Sequence, residues 1–525
     1  MRSESGYNVL IVVPIISKCT DSMKLRIPLT VNPVTDRSRR YLTVSGGAMV
    51  GLAWSLGALL GGRAAHGFDI FILLISLILL LVSVWGSQRS LALAPVIDHP
   101  EASPIARSTH RVRAASEDTR LIVALAVVAL LFRALLTIYF DVNEGLLRGW
   151  NTIDQWGYTH ISNEIAQRWL MGLPTAFLLK TIAAKDPGYY YYNAVIYYLF
   201  GFVTLIPKLI NNLLGVATAL ICYRFCADLF GRPAARITAI YLLLLPSLFW
   251  WSCINVRDTQ AYFFLIVVVY LFSKLYKKFH IIDCALLLLS TAYLATLRQY
   301  IFLELVAASG MAFFMFRSGK LIRNVVTVLC FLGMAYLLFN RFGIGQKFAS
   351  VENPLSFAEH VRKTNPGATL NYLKDVNISN PTDAGFFLPL GISYFLFSPF
   401  PWQLSRSRHA LFIPEMLLWW PAMPLLMIGL IHALKHHFRA VIFPISCLLT
   451  ITIPYALIET NSGTAIRHRS QVIPLIVIFA SHGLFVVLNH YRRRTVIRGE
   501  QSSSVSHPLT SPQLVQVPES SIINR

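Results

Sequence analysis

A short polar segment in the middle of a hydrophobic chain contains residue types suited to acid–base chemistry. Its sequence, IDQWGYTHIS, places Asp154, Tyr158 and His160 in the pattern Asp-x3-Tyr-x2-Ile-Ser. A carboxylate near a lipid-facing cleft can act as a general base and take a proton from an acceptor hydroxyl or amine, and His160 could orient either partner. The spacing fits equally well a solvated or helix-capping Asp154 and a hydrogen-bonded interfacial His160, so both interpretations stay open.

Two further acids are candidates for the same chemistry, and a third lies beside an arginine. Asp141 and Glu144 lie at the end of the preceding apolar helix, and Asp258 follows Arg257 in the segment WWSCINVRDTQ. The planar fork of arginine can bind two phosphate oxygens at once, so the Arg257–Asp258 pair is also a candidate for anion binding. A structural interpretation is open too: Asp258 or Thr259 caps the next helix, and Arg257 anchors it at the membrane surface.

Two arginines directly precede the last apolar stretch, Arg467 and Arg469 in ETNSGTAIRHRSQVIP. Basic residues of membrane proteins collect on the cytoplasmic side, whereas this pair lies on the opposite side in the topology given below. Binding of an anionic ligand by this pair and chance placement therefore both stay open. Arg298, in a tight turn on the same side, is a weaker candidate for that role.

Two charged residues lie inside predicted membrane spans, Arg133 and Glu304. An ionisable group within the bilayer is by default a functional hypothesis. Arg133 lies about two helical turns from the end of its span, so its long side chain could instead reach the surface. Glu304 lies at a similar depth and could pair with an arginine of the cleft, as a further candidate for substrate binding.

The composition identifies the chain as a membrane protein. Of its 525 residues, 55% are hydrophobic and 14% charged, with a mean hydropathy of +0.56. The formal charge of +21 would suggest a nucleic-acid partner in a soluble protein, but here Lys and Arg cluster in short links between apolar runs, as the positive-inside rule predicts. We therefore expect no nucleic-acid binding. Motifs of nucleotide-dependent enzymes and of the common hydrolases are missing.

The hydrophobic pattern predicts an all-α, polytopic transmembrane helical bundle of about twelve spans. A membrane-crossing helix needs about 20 apolar residues. With both termini cytoplasmic, the links GRPAAR, KLYKKFH, RSGKLIR and KHHFR all lie inside. The predicted spans are 41–62, 66–86, 120–140, 208–229, 233–252, 257–276, 280–297, 299–316, 323–340, 416–434, 438–457 and 470–490.

Three regions follow from this topology. Residues 1–119 form a cytoplasmic N-terminus with two extra spans and a basic link, 120–490 form the catalytic membrane core, and 491–525 form a disordered cytoplasmic tail. Two long outward loops, 141–207 and 341–415, interrupt the core. Each loop is expected to contain an interfacial helix, the first of them the Tyr-rich segment Tyr189–Leu205.

Together these segments resemble a known family. An outward Asp-x3-Tyr-x2-Ile-Ser segment is followed by a Tyr-rich helix ending in LFG, a span beginning IPKLINNLLG, a cytoplasmic turn LFGRPAAR and an outward NVRDTQ. The late segments FLFSPFPWQ and NSGTAIRHRSQVIPL complete the order. The chain resembles the GT-C superfamily of polytopic glycosyltransferases over roughly residues 120–490. Within it, the chain is most similar to bacterial family-39-like members, relatives of protein mannosyltransferases and lipid A aminoarabinose transferases.

The resemblance implies transfer of a sugar from a polyprenyl-phosphate-linked donor to a glycan, lipid or protein acceptor outside the membrane. It implies that Asp154 is the general base, that Asp258 is the acid of the second outward loop, and that Arg467 and Arg469 lie near the donor phosphate. It implies no particular cofactor and leaves a divalent metal open. The location implied is the bacterial inner membrane.

The sequence also departs from the family pattern. Gln155 replaces an acid that often follows the first Asp, and Asp186-Pro187-Gly188 replaces a common Lys-Pro-Pro segment. The WWD signature of oligosaccharyltransferases is missing. Alternatives are a transporter or flippase of lipid-linked glycans, a glycan polymerase or ligase, and an inactive scaffold.

Overall fold

The described part of the chain is helical and contains no β-strand. The computed structural model describes residues 104–142, 153–175, 187–315, 333, 353–364, 372–373, 376–403 and 413–505. The chain divides into two compact units, Met1–Arg111 and Val112–Arg525, and the described residues of the first are the beginning of a helix. The second unit contains the other helices. The predicted all-α class is confirmed for these residues.

Fourteen α-helices occur in the described ranges, mostly joined by short connections. They are α1 (Pro104–Val142), α2 (Ile153–Leu170), α3 (Gly188–Phe200), α4 (Leu205–Phe230), α5 (Arg232–Leu244), α6 (Pro246–Cys253), α7 (Asp258–Lys277), α8 (Ile281–Leu297), α9 (Gln299–Met315), α10 (Pro354–Thr364), α11 (Pro381–Phe397), α12 (Ile413–Ile458), α13 (Ser462–Arg469) and α14 (Ile473–Val505).

Five of these helices are long and apolar enough to cross a membrane, and the bent pair α5–α6 could be a sixth. They are α1, α4, α7, α12 and α14, each over most of its length. The apolar helices α8 and α9 have 17 residues each, somewhat short for a span. The spans predicted at 41–62, 66–86 and 323–340 lie outside the described residues, except for Gly333. A twelve-span bundle is thus not established.

The longest helix, α12, reverses direction at His437. The backbone of this residue is non-helical (φ −131°, ψ 22°). Near the beginning of α12, Glu415 lies 3.6 Å from Arg469, and near its end Tyr455 lies 2.9 Å from Gln471. A straight helix would separate Glu415 and Tyr455 by about 60 Å. The chain therefore folds back at the basic link KHHFR, and its two halves correspond to the spans predicted at 416–434 and 438–457.

The predicted span 233–252 is broken. Helices α5 and α6 meet at Leu245 with a bend of 51°, because the residue before a proline disfavours helical geometry. Charged side chains from other helices form hydrogen bonds with the two helix ends that the break creates. Arg133 Nη2 donates to Leu243 O at 3.3 Å, and Glu415 Oε2 accepts from Ser247 N at 2.6 Å. These charges match the helix dipoles, negative at the C-terminus of α5 and positive at the N-terminus of α6.

The structure corrects the predictions for three segments. Helix α1 begins at Pro104, within the predicted basic link, and α14 continues to Val505, so residues 491–505 are helical and not disordered. The loop 141–207 contains the additional helix α2 besides the expected Tyr-rich helix, which is α3. Helix α2 forms because Ile161 and Ile165 lie on one face and pack against Ala194 of α3.

The core of the second unit includes a close crossing between the first half of α12 and α14. A Cβ atom on Gly429 would lie 1.9 Å from Phe479 O, and one on Gly483 would lie 1.9 Å from Leu425 O. Only glycine fits at both positions. Small residues allow this kind of backbone approach between membrane helices, and the crossing fixes α13, between α12 and α14, at the end of the bundle.

Candidate functional site

The site is centred on Asp258, the first residue of α7. Its side chain is fully buried, and each oxygen accepts from a different arginine. Oδ1 accepts from Arg298 Nη2, and Oδ2 accepts from Arg467 Nε at 2.6 Å. A buried carboxylate must be paired to stay charged. The capping role considered for Asp258 is therefore wrong, because its side chain caps no helix; Thr259 donates to Trp251 O at 2.9 Å.

Arg467 joins Asp258 to a second acid, Asp154. Arg467 Nη1 donates to Asp154 Oδ2, and the Asp154 side chain is 45% exposed. Burial alone would lower the pKa of the Arg467 guanidinium, but Asp258 and Asp154 together outweigh it and raise this pKa above its usual value. Arg467 is thus a permanent cation between one buried and one half-exposed carboxylate, and its Nη2 has no partner.

Three separate segments hold these groups in place. Asp154 lies in the first turn of α2, and Arg467 lies on the short helix α13. Helix α13 is capped by Asn461, whose side-chain oxygen accepts from Gly463 N and Thr464 N at 2.8 and 3.3 Å. The Arg467 guanidinium lies over the ring of Trp251, 5.9 Å from its centre.

A chain of hydroxyl groups extends the cluster inward from Arg298. Arg298 Nη1 donates to the Tyr300 hydroxyl, which lies 2.7 Å from the hydroxyl of Tyr455. Tyr455 in turn lies 2.9 Å from Gln471 Oε1. This chain fixes the orientation of Arg298, and through it that of Asp258.

A carboxylate–imidazole pair lies beside Arg467. His468 Nδ1 bonds to Glu459 Oε1, and the imidazole ring stacks on Tyr455 with 4.8 Å between centres. Since a carboxylate accepts hydrogen bonds, Nδ1 carries the proton. Burial lowers the pKa of His468, although Glu459 opposes this. The neutral ring then has its lone pair on Nε2, where it can accept a proton or a hydrogen bond.

Tyr158 lies one turn after Asp154 in an aromatic cluster. Its ring packs against Tyr189 and Tyr190, at centre distances of 4.7 and 4.8 Å. The Tyr189 hydroxyl donates to Asn255 at 2.8 Å, which fixes α3 against the turn before α7. Burial raises the pKa of Tyr158. Tyr158 is therefore neutral, and its ring contacts position α2.

Two predicted site residues lie apart from this cluster. Asp141 forms an ion pair with Lys208 at 2.5 Å and accepts from Thr204 at 3.1 Å, which ties the end of α1 to the beginning of α4. His160 is exposed, and its ring contacts Trp156 and Phe202. Asp141 and His160 thus have other partners than the arginines of the cluster.

Arg469 does not share a site with Arg467. It is fully buried, and its Nη1 donates to Leu396 O and Ser398 O at 2.7 and 2.8 Å. It also lies 3.6 Å from Glu415. Arg469 thus ties the end of α11 to the beginning of α12, and its role beside the donor phosphate stays a prediction.

Of the remaining predicted residues, Arg257 and Arg133 contact other parts of the protein, whereas one carboxylate oxygen of Glu304 has no hydrogen-bond partner. Arg257 Nη1 donates to Leu297 O at 3.2 Å. Glu304 makes no ion pair with an arginine in the described ranges, and its Oε2 has no hydrogen-bond partner. Arg133 is fully buried above the Phe249 ring, so it does not reach the membrane surface.

Several residues of the cluster were not predicted. The sequence does not single out three of them, Tyr300, Tyr455 and Gln471. Aromatic and polar residues are common inside membrane proteins, and these three show no distinctive spacing. Glu459 had a signal: it is an acid directly after an apolar span, nine residues before His468. No group of three or more His, Cys, Asp or Glu in the part of the chain that the structure covers could hold a metal ion.

No protein-family model matches the chain, and no curated protein sequence matches it. The likeness to GT-C glycosyltransferases therefore rests on the residues quoted above and on their order.

Proposed function

We propose that the protein is a membrane glycosyltransferase of the GT-C type. It transfers a sugar from a polyprenyl-phosphate donor to a glycan, lipid or protein acceptor at the outer surface of a membrane. The observation that supports this most is the bridge from Asp154 through Arg467 to Asp258. It combines a solvent-accessible base and a fixed cation at the end of α7, a helix apolar enough to cross the bilayer.

The chemistry needs one base and one cation. The acceptor oxygen attacks the anomeric carbon of the donor as its proton moves to Asp154, and the bond from that carbon to the phosphate oxygen breaks. The polyprenyl phosphate leaves with the bonding electrons, and Arg467 compensates its charge. A single displacement inverts the anomeric centre. Holding the two reactants in line contributes to the rate beside proton transfer.

Asp154 is a better base than Asp258. Asp258 is fully buried and accepts from two arginines, whereas Asp154 accepts from one and is 45% exposed. An acceptor hydroxyl can therefore reach Asp154 without displacing a buried ion pair. Both acids face the cation Arg467, an arrangement that does not suit a divalent metal.

The break between α5 and α6 bears on the main alternative, a transporter or flippase of lipid-linked glycans. Transporters use broken helices whose free ends bind the substrate or coupling ions. Here Arg133 and Glu415 already bond to the two ends, at Leu243 O and Ser247 N. We therefore favour a structural role for this break. A polymerase or ligase would use similar chemistry, and product length separates it from a transferase that adds one unit.

The proposed location is the bacterial inner membrane, with both termini cytoplasmic. Helix α3 fits an interfacial position on the outer side. Its Asn193 and Ala194 are buried, whereas its Leu199 and Phe200 are more than 60% exposed. Exposed apolar and aromatic side chains are favourable in the interfacial layer of a bilayer.

The proposal is tested by whether cells that lack the protein also lose one glycan product. Lipid, glycan and protein fractions from a strain lacking the gene are compared by mass spectrometry with those of strains expressing the wild type or Asp154→Asn. We expect the deletion to remove a sugar unit, and Asp154→Asn to slow its transfer by roughly 10²–10⁴-fold, the usual effect of removing a general base on rate, so that less product accumulates. Membrane insertion should be unchanged.

A control on the same helix is Glu164→Gln. Glu164 pairs with Arg168 on the exposed face of α2, 3.2 Å apart, and should be dispensable. Full product with Asp154→Asn would disprove the assignment of the base. An unchanged glycan profile in the deletion strain, with movement of a labelled lipid-linked glycan by the reconstituted protein, would favour the transporter.

A further inference from the structure

A second candidate binding site lies at the other end of α7. A crevice of about 180 Å³ separates the end of α7 from the second half of α12. The rings of Phe272 and Phe443 stack at its base, with centres 3.8 Å apart and planes at 20°. Ala440 adds to the apolar lining, while Lys277 and Arg439 lie at the mouth. The crevice is thus apolar inside and cationic at its opening.

Both cations at the mouth are available to an anion. The side chains of Lys277 and Arg439 are exposed. Lys277 Nζ has only a long contact, 3.3 Å to Asp228 O, and the Arg439 guanidinium has no partner within the described ranges. The nearby Asp228 carboxylate accepts from Tyr270 at 3.2 Å. In contrast, Lys274 one turn earlier is paired with Asp283 at 2.9 Å.

The crevice lies where a bilayer would end. Lys277 is the last residue of α7, whose 20 residues span about 30 Å, the thickness of a hydrocarbon core. Arg439 follows the reversal of α12 at His437 by two residues. Asp258 and Lys277 are therefore at opposite ends of one membrane-spanning helix, and the crevice is far from the glycosyltransferase site proposed above.

We propose that this crevice binds an anionic phospholipid. One acyl chain lies against Phe272 and Phe443, and the headgroup phosphate lies between Lys277 and Arg439. Basic pockets between membrane helices on the cytoplasmic side are suited to such headgroups. A free phosphate ion would use the two cations but make no contact with the apolar walls of the crevice, so the apolar interior favours the lipid as the source of the anion.

The test compares lipids by native mass spectrometry of the purified full-length protein. The probes are phosphatidylglycerol and phosphatidylcholine with identical acyl chains. We expect phosphatidylglycerol to bind more tightly, and the double variant Lys277→Gln/Arg439→Gln to weaken its binding roughly 25-fold, about fivefold for each cation near the headgroup. Phosphatidylcholine binding should change little.

The matched control is Lys274→Gln/Lys435→Gln. It removes the same charge from the same end of the protein but leaves the crevice intact. The proposal is wrong if this control weakens phosphatidylglycerol binding as much as the double variant, or if neither variant changes it. Displacement of the lipid by millimolar inorganic phosphate would also overturn it, because the site would then bind the free ion.

Discussion

At the scale of single residues, Asp258 is a buried charge that pairs with two other charges. It lies between Arg298 and Arg467 with no exposed surface. Desolvating three charges is costly unless their geometry compensates for it. The two arginines face the same carboxylate, so the removal of its charge leaves them close together and unpaired.

We therefore predict that Asp258→Asn destabilises the protein by about 3–5 kcal/mol, the usual cost of breaking a buried ion pair. The thermal unfolding temperature in detergent should fall clearly. Glu164→Gln is the control, because Glu164 and its partner Arg168 are both partly exposed and such pairs contribute at most about 1 kcal/mol. Equal losses in both variants would mean that burial of Asp258 is not what makes it important.

The sequence could nominate Asp154, Asp258 and Arg467 because each is a charged group next to an apolar span on the side opposite the basic links. It could not separate Arg467 from Arg469. Successive residues of an α-helix are about 100° apart, so two positions separated by one residue point in nearly opposite directions. Because residues 462–469 are helical, the two arginines meet different partners.

At the scale of elements, the crossing of α12 and α14 depends on two glycines. We predict that Gly483→Ala lowers the unfolding temperature, because its added methyl group would overlap Leu425 O. The backbone must then separate, which costs packing between the two helices.

Gly310→Ala in α9 is the control for helix propensity. No atom lies within 4 Å of its added Cβ, so this change should be neutral or stabilise the helix by about 0.5–1 kcal/mol. A Gly483→Ala variant as stable as Gly310→Ala would show that the close approach is not needed.

Elements differ in how well the sequence predicts them. Hydrophobic length placed α4, α7 and both halves of α12 within a few residues, since the bilayer sets that length. The sequence of residues 153–170 predicts helix α2 only when its polar and apolar positions are considered as two faces of a helix. Its pattern of Tyr158, Ile161 and Ile165, three and four residues apart, is typical of a buried helix face.

At the scale of the whole molecule, the predicted topology requires two polar ends on opposite sides of a membrane. We predict that a cysteine replacing Trp156, in a variant lacking the seven native cysteines, reacts with a membrane-impermeant maleimide in intact cells. A cysteine replacing Phe279 should react only after permeabilisation. Both side chains are more than half exposed, so each site is accessible to reagent.

Labelling of both cysteines from one side would contradict the predicted topology and, with it, the outward position of the proposed site. The sequence predicts this sidedness from the basic links alone. It could not predict the contacts of Arg133 and Glu415 with the ends of α5 and α6, because these depend on residues more than 100 positions apart meeting in space.

The bridge through Arg467 also bears on which ligands could bind at Asp154. Arg467 is paired with both Asp154 and Asp258, so an anion that approaches it also meets two negative carboxylates. A phosphate that took over the hydrogen bond from Asp154 would keep the guanidinium compensated and leave Asp154 without its ion pair. A neutral sugar carries no charge to replace the carboxylate, so we expect a negatively charged donor, and not a neutral acceptor alone, to exchange this hydrogen bond.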